Sequence, residues 1–136
     1  MGCIFCMIAN KEIKSSVVYE NEHVIAILDL SQANEGHTLV MPKKHFDNIL
    51  DLDSETYTHL MEAVRVVTLA INKAFNPEGI NILNNCKKAA GQTVMHFHIH
   101  VIPRYDSSDN LTIEFTPAQI GKLNLPAIAD EIKKDL

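Results

Sequence analysis

Hydrophobic positions recur along this chain with two periods, and the switch between them marks out the elements. From Asp53 to Phe75, Leu60, Val64, Val67, Ile71 and Ala74 fall on one stripe at helical spacing, with Tyr57 and Met61 alongside. This predicts one long helix that packs its stripe on a sheet. Asp53 or Ser54 is placed to cap it, Glu55 suits its positive end, and Asn76-Pro77 stops it. The other apolar runs are short and strand-like. Val17 to Glu20 and Val24 to Leu28, joined by Asn21-Glu22-His23, predict a hairpin. His37 to Pro42 predicts a third strand, closed by a proline that cannot extend a ladder, and Gly79 to Leu83 a fourth. Strict alternation from His96 to Arg104 predicts a fifth. Met95, Phe97, Ile99 and Val101 then share one face and His96, His98 and His100 the other.

The ends of the chain carry weaker patterns. Cys3 to Ala9 predicts one or two helical turns, and Leu111 to Phe115 a short extra strand. Thr116-Pro117-Ala118-Gln119 combines a capping box with proline at the first helical position, so a helix is predicted to begin there. A terminal helix is predicted from about Pro126 to Leu136, with Ile128, Ile132 and Leu136 on one stripe and Lys133 and Lys134 near its negative end. The predicted fold class is α+β: a five-stranded, mostly antiparallel sheet with one long helix beside it and a short N-terminal helix. One domain is expected over residues 1–136, with a core of about 3–105 and a helical tail of about 106–136.

Composition narrows the function. A chain of 136 residues, 46% hydrophobic and 21% charged, is long and apolar enough for a real core. A net charge of −5 argues against a protein that grips nucleic-acid backbones, while leaving room for a local phosphate pocket. No apolar run reaches the length of a membrane span, and the start is too polar beyond Ala9 for a signal peptide. Met1-Gly2-Cys3 lacks the Ser or Thr that N-acylation wants where Cys6 stands. Three cysteines, two of them in C-x-x-C, do not form a secreted disulfide framework, so a cytoplasmic location is expected.

Three histidines on one strand face are the chemical anomaly. A single buried imidazole is commonly a core residue with its hydrogen bonds met, but three polar rings each need a partner. The pattern points to a metal site or to nucleophilic and acid–base chemistry on an anionic substrate. Cys3-x-x-Cys6 is open between metal binding, redox chemistry and two small buried residues.

Gly91-Gln92-Thr93-Val94-Met95-His96-Phe97-His98-Ile99-His100 resembles the signature of the histidine triad (HIT) family of nucleotide hydrolases and transferases, and the similarity runs from Cys3 to Tyr105. The resemblance implies that His98 attacks the α-phosphorus and is transiently nucleotidylated, its other ring nitrogen donating to a backbone carbonyl. Gln92, Thr93 and His100 would hold the non-bridging oxygens and help protonate the leaving group, and His37 would orient the catalytic imidazoles. Asp29 would accept from both ribose hydroxyls, as two carboxylate oxygens permit. Ile27 and Leu30 would lie against the base, and Ile4, Phe5 and Ile8 would form its apolar slot, although simple core packing explains those three equally well. Asn85 joins Gln92 and Thr93 as a phosphate contact. Where many relatives carry a glycine after the Asn pair, this chain has Cys86-Lys87-Lys88.

The resemblance further implies purine nucleoside phosphoramidates or small dinucleoside polyphosphates as substrates, and a two-fold homodimer. One branch of the family holds a structural zinc ion (Zn2+) at positions matching Cys3, Cys6, His45 and His96, a closed Cys2His2 set. Neither nucleic-acid nor membrane partners are implied. Two rival readings are a metal-dependent hydrolase with His96, His98 and His100 as ligands, and a non-catalytic purine-nucleotide-binding interaction module.

Overall fold

A computed structural model describes residues 2–106, 109–117 and 120–136. The elements run α1 (Ile4–Ala9), β1 (Val17–Glu20), β2 (Val24–Leu28), β3 (Thr38–Pro42), α2 (Ser54–Phe75), β4 (Gly79–Leu83), β5 (Ile99–Arg104) and α3 (Leu125–Lys133), with single 3-10 turns at Lys88–Ala90 and Ile120–Lys122. The five strands form one sheet in the order β1-β2-β3-β5-β4, antiparallel throughout.

Both faces of the central strands are covered, which is why β2 and β3 are apolar at nearly every position. One face packs Val24, Ala26, Val40, Ile99 and Val101 against the α2 stripe of Leu60, Ala63, Val64, Val67 and Ile71. The other packs Ile25, Ile27, Leu39 and Met41 against Phe5 and Ile8 of α1. Asp53 caps α2 by accepting from the Thr56 N–H, and Asn76 ends it in the left-handed conformation. In the β2–β3 turn Gly36 has φ +99°, and a Cβ there would meet the Phe75 ring at 3.0 Å.

The last strand is shorter than its alternation predicts. Pairing stops at Val40–Ile99, so His96, Phe97 and His98 lie outside the ladder. The reason is local. The next position on β3 that could bond across is Pro42, which has no N–H and whose carbonyl is taken by His96 Nε2 at 2.7 Å. The Phe97 N–H turns instead to the Phe46 carbonyl, at 2.7 Å. Phe97 still reaches the α2 core, but Met95 is 43% exposed and does not share its face.

Other differences lie toward the C-terminus. Leu111 to Phe115 forms no strand, and Thr116 and Pro117 are irregular. The rest of the helix start expected there, Ala118-Gln119, falls outside the described residues. The final helix begins one residue before Pro126, because the Asn124 side chain accepts from the Ala127 N–H and caps it. It ends at Lys133, short of the expected Leu136, and Ile128 and Ile132 on it are exposed, as is Leu136 beyond it.

Candidate active site

Where the N-terminal segment meets the start of β5, Cys3, Cys6, His45 and His96 bring four ligand atoms within 4.8 Å of one another. Cys3 caps α1, its Sγ accepting from the Cys6 N–H at 3.4 Å. His96 Nδ1 lies 3.4 Å from both sulfurs, and His45 Nδ1 lies 3.4 Å from that of Cys6. A zinc ion with ordinary Zn–S and Zn–N bonds at tetrahedral angles sets N···S edges of about 3.6 Å, so the donors stand at coordination spacing.

The protons fit as well. His96 Nε2 faces the Pro42 carbonyl and His45 Nε2 faces the Asp47 carboxylate at 2.8 Å. Both partners only accept, so each Nε2 carries the proton and each Nδ1 turns a lone pair inward. A carboxylate or carbonyl behind a ligating imidazole is the usual outer support of a zinc site. Burial opposes ionisation of both thiols. At Cys3 the Cys6 backbone N–H and neighbouring groups outweigh it and hold the thiol below its ordinary value, whereas burial and the adjacent Cys3 push Cys6 up to about 11. A divalent cation would relieve that mutual repulsion and draw both into the thiolate form. The residues present therefore fit zinc.

Phe5 separates this cluster from the second one, standing edge-on to His96 and to His98 with ring centroids 5.9 and 5.0 Å away. Beyond it lies a cavity of about 320 Å³. Ile4, Phe5, Ile8, Ile13, Ile27 and Leu39 form its apolar walls. Leu30 also lines it and is 99% exposed. Asp29, Thr93, His98 and His100 are among the polar residues of the lining.

Hydrogen bonding decides which nitrogen carries each proton here too. His98 Nδ1 faces the His96 carbonyl at 2.7 Å, so it holds the proton and Nε2 keeps the lone pair. His37 Nδ1 accepts from the Ala33 N–H at 3.1 Å, so its proton is on Nε2. That Nε2–H donates to His100 Nδ1 at 2.9 Å, with Asp29 Oδ2 3.5 Å away. His100 therefore carries its own proton on Nε2. One imidazole of the cavity offers a lone pair and its neighbour, 5.0 Å away between centroids, offers an N–H. Burial holds His37 and His98 below their ordinary values. Burial, with His98 and His37 as neighbours, lowers His100 to about 4.

Two residues expected at the phosphate are elsewhere. The Gln92 side chain is buried and fully engaged: Nε2 donates to the Asp47 and Val94 carbonyls at 2.6 and 3.0 Å, and Oε1 accepts from the Lys87 N–H at 2.7 Å. It clamps the loop before the triad and does not line the cavity. Asn85 does not line it either, its Nδ2 reaching the Gly91 carbonyl at 3.4 Å. Nor do the three strand histidines converge on one ion. His96 joins the thiols while His98 turns a proton toward the His96 carbonyl, which removes the geometric basis for a three-histidine catalytic metal.

Several supporting residues carried no signal in the pattern. Asn84 Nδ2 donates to the His98 carbonyl at 2.9 Å. Gln32 ties the β2–β3 turn, donating to the Asp29 and His37 carbonyls and accepting from the Gly36 and His37 N–H groups. Lys14 and Ser15 line the cavity from the α1–β1 connection. The amide residues at turns were the only hint of such roles.

The chain belongs to the HIT domain family, whose pattern matches residues 10–107. It is similar in structure to a HIT family protein from Bacillus anthracis, with a TM-score of 0.94 at 44% identity over 99% of this chain and 97% of that one. A zinc-bound histidine triad family protein from Mycobacterium smegmatis matches with a TM-score of 0.76 at 33% identity, covering 100% of this chain and 99% of that one. Among relatives, the adenosine 5'-monophosphoramidase hnt1 of Schizosaccharomyces pombe is 32% identical over 100% of this chain and 99% of its own length.

Proposed function

We propose that this chain cleaves nucleoside 5'-phosphoramidates, or related compounds with a leaving group on the α-phosphorus, through a nucleotidyl-histidine intermediate. The observation that carries the reading is the complementary protonation of the cavity histidines. His98 Nε2, with its lone pair, attacks phosphorus and forms the P–N bond, while its Nδ1–H stays on the His96 carbonyl. The bond to the leaving amine breaks with its electron pair, and the amine takes up a proton from solvent as it departs. The His100 Nε2–H donates a hydrogen bond that stabilises the charge developing on the phosphoryl oxygens and leaving group. Water then attacks the same phosphorus, the bond to His98 breaks, and the proton that water gives up returns to solvent. Thr93 is exposed in the cavity and assigned to the phosphate oxygens, Asp29 to the ribose and the apolar walls to the base. The family membership and the named activity of the fission-yeast relative support this assignment.

Cys3, Cys6, His45 and His96 are assigned to a structural zinc ion, which when bound cross-links α1 to the start of β5. The donor set described above and the zinc-bound mycobacterial relative support it. A cytoplasmic location suits the reduced thiols, and among the described residues no helix is long and apolar enough to cross a membrane. A two-fold homodimer is assigned to the open edge of β4 and the outer side of α2, where Ile82, Leu69 and Tyr57 are exposed.

The deciding experiment is mass spectrometry of protein quenched during turnover of adenosine 5'-phosphoramidate. A nucleotidyl adduct on His98 is expected. His98→Ala should carry none and should lose roughly 10⁴-fold or more in kcat, the scale of removing a nucleophile. Undiminished turnover by that variant would end the proposal.

A further inference from the structure

Among the residues that line the cavity there is one lysine. Lys14 lines it from the α1–β1 connection, is exposed, and has no ion pair or side-chain hydrogen bond among the described residues. Lys11 and Lys43 behave otherwise: both pair with Glu20, at 2.6 and 2.7 Å. The Leu28 N–H donates to the Ser16 carbonyl at 2.9 Å and extends the β1–β2 pairing by one position. Lys14, two residues further back, leads into β1, which lies on the side of β2 away from β3 and β5, whereas His98 and His100 belong to the β5 side. A nucleotide with phosphorus at His98 and ribose at Asp29 carries its base onward, toward β1.

We infer that Lys14 selects among purine bases, favouring the 6-oxopurines guanine and hypoxanthine over adenine. This rests on the nucleotide reading of the cavity given above. An ammonium group has three donors and no acceptor. Guanine presents two adjacent acceptors, O6 and N7, along its outer edge, whereas adenine replaces the first with the N6 amino donor. An adenine in the slot sets one of its donors toward a cation, and a 6-oxopurine sets two acceptors there. Neither the apolar wall nor Ser15, whose hydroxyl donates and accepts, distinguishes the two.

The test is calorimetric binding of GMP, IMP and AMP to the full chain, alongside the adduct experiment. GMP and IMP should bind about five- to tenfold more tightly than AMP, the scale of one partly exposed hydrogen bond to a charged group. In Lys14→Met the gap should close to within about twofold, and in Lys14→Glu, whose carboxylate accepts from the N6 amino group, it should reverse. Both substitutions fall on an exposed connection, and an unchanged Tm shows that each variant is folded. Equal binding of the three nucleotides by the unaltered protein, or a gap that survives in Lys14→Met, overturns the inference. If AMP binds and the His98 adduct forms without base preference, only the role of Lys14 falls. If no nucleotide binds and no adduct forms, the function assigned to the cavity falls with it.

Discussion

Two histidine clusters lie on either side of one phenylalanine and are built with opposite chemistry. At Cys3, Cys6, His45 and His96 both imidazoles donate outward from Nε2 and turn lone pairs in, toward two thiols. At Asp29, His37 and His100 the ligand atoms also lie within 4.8 Å of one another. There, however, the Ala33 N–H occupies His37 Nδ1 and forces the proton onto Nε2, between His100 and Asp29. A metal ion at that point would meet an N–H where it needs a lone pair. Imidazoles at similar spacing thus turn lone pairs inward in one cluster and share a proton in the other, and the hydrogen bonds behind each ring decide which. The two are not independent. The His96 carbonyl fixes the His98 tautomer, and Gln92 holds the carbonyl of Asp47, whose carboxylate backs His45.

The largest expected effect is at the Cys3, Cys6, His45 and His96 cluster. Cys6→Ser, or removal of metal by a chelator, should lower bound zinc below one per chain. It should also cost several kcal/mol of stability, a fall in Tm of about 10 °C or more. Because α1 also walls the nucleotide cavity, nucleotide affinity should drop as well. Metal analysis and calorimetric melting check this. A metal-free chain with unchanged melting under chelation would leave the four residues as ordinary packing.

The cavity histidines are tested by pH, with an effect of intermediate size. His98 and His100 are both held below their ordinary values, so they stay neutral where a free imidazole would be charged. An ordinary imidazole nucleophile would lose about tenfold in neutral fraction between pH 7.5 and 5.5. The kcat of this chain should fall by clearly less than that over the same range, with its acid limb displaced to lower pH than that of a free imidazole. Stability falls in the same direction. The unfolded chain binds the proton first, so stability is full above the ordinary histidine value and declines as pH falls from there toward about 4. A rate profile that bends near pH 6.5 would show the pair to be solvated.

How far these features were legible depends on how far apart their parts lie. The bounds of α2 and its Asp53 cap are local, and the sequence shows them to within a residue, although Ala74, expected on the buried stripe, is exposed and Ala63 packs in the core. The hairpin β1–β2 is equally local and equally plain. The metal cluster joins positions 39, 90 and 93 apart along the chain, which no local spacing reveals, and only the family resemblance brought them together. Gln92 was placed at the phosphate by the same resemblance. Its actual role depends on the Asp47 carbonyl 45 residues away, an atom without a sequence signature. His96 and His98 alternate as a strand does, yet Pro42 and Phe46 pull their backbone out of the ladder. Lys14 sat in a polar break that carried no periodicity at all.

The smallest expected effect concerns the loop that Gln92 clamps. Lys87 has φ +71° and ψ 165°, a region in which residues other than glycine are held at a cost of order 1–3 kcal/mol. It is held from both sides: its N–H donates to Gln92 Oε1 at 2.7 Å, and its carbonyl accepts from the Ala90 and Gln92 N–H groups at 3.1 Å. The glycine that many family members carry nearby fits this backbone without strain. Lys87→Gly relieves the strain but gives the unfolded chain more freedom, which takes back about 0.5–1 kcal/mol. A net gain of about 1 kcal/mol is expected, a rise in Tm of a few degrees. The AMP dissociation constant should change less than twofold, since Lys87 does not line the cavity. A fall in Tm would mean that the lysine side chain holds the loop through contacts worth more than the strain. A clear loss of AMP affinity would instead assign the ammonium to the phosphate, and bring the loop back into the site that Gln92 was expected to serve.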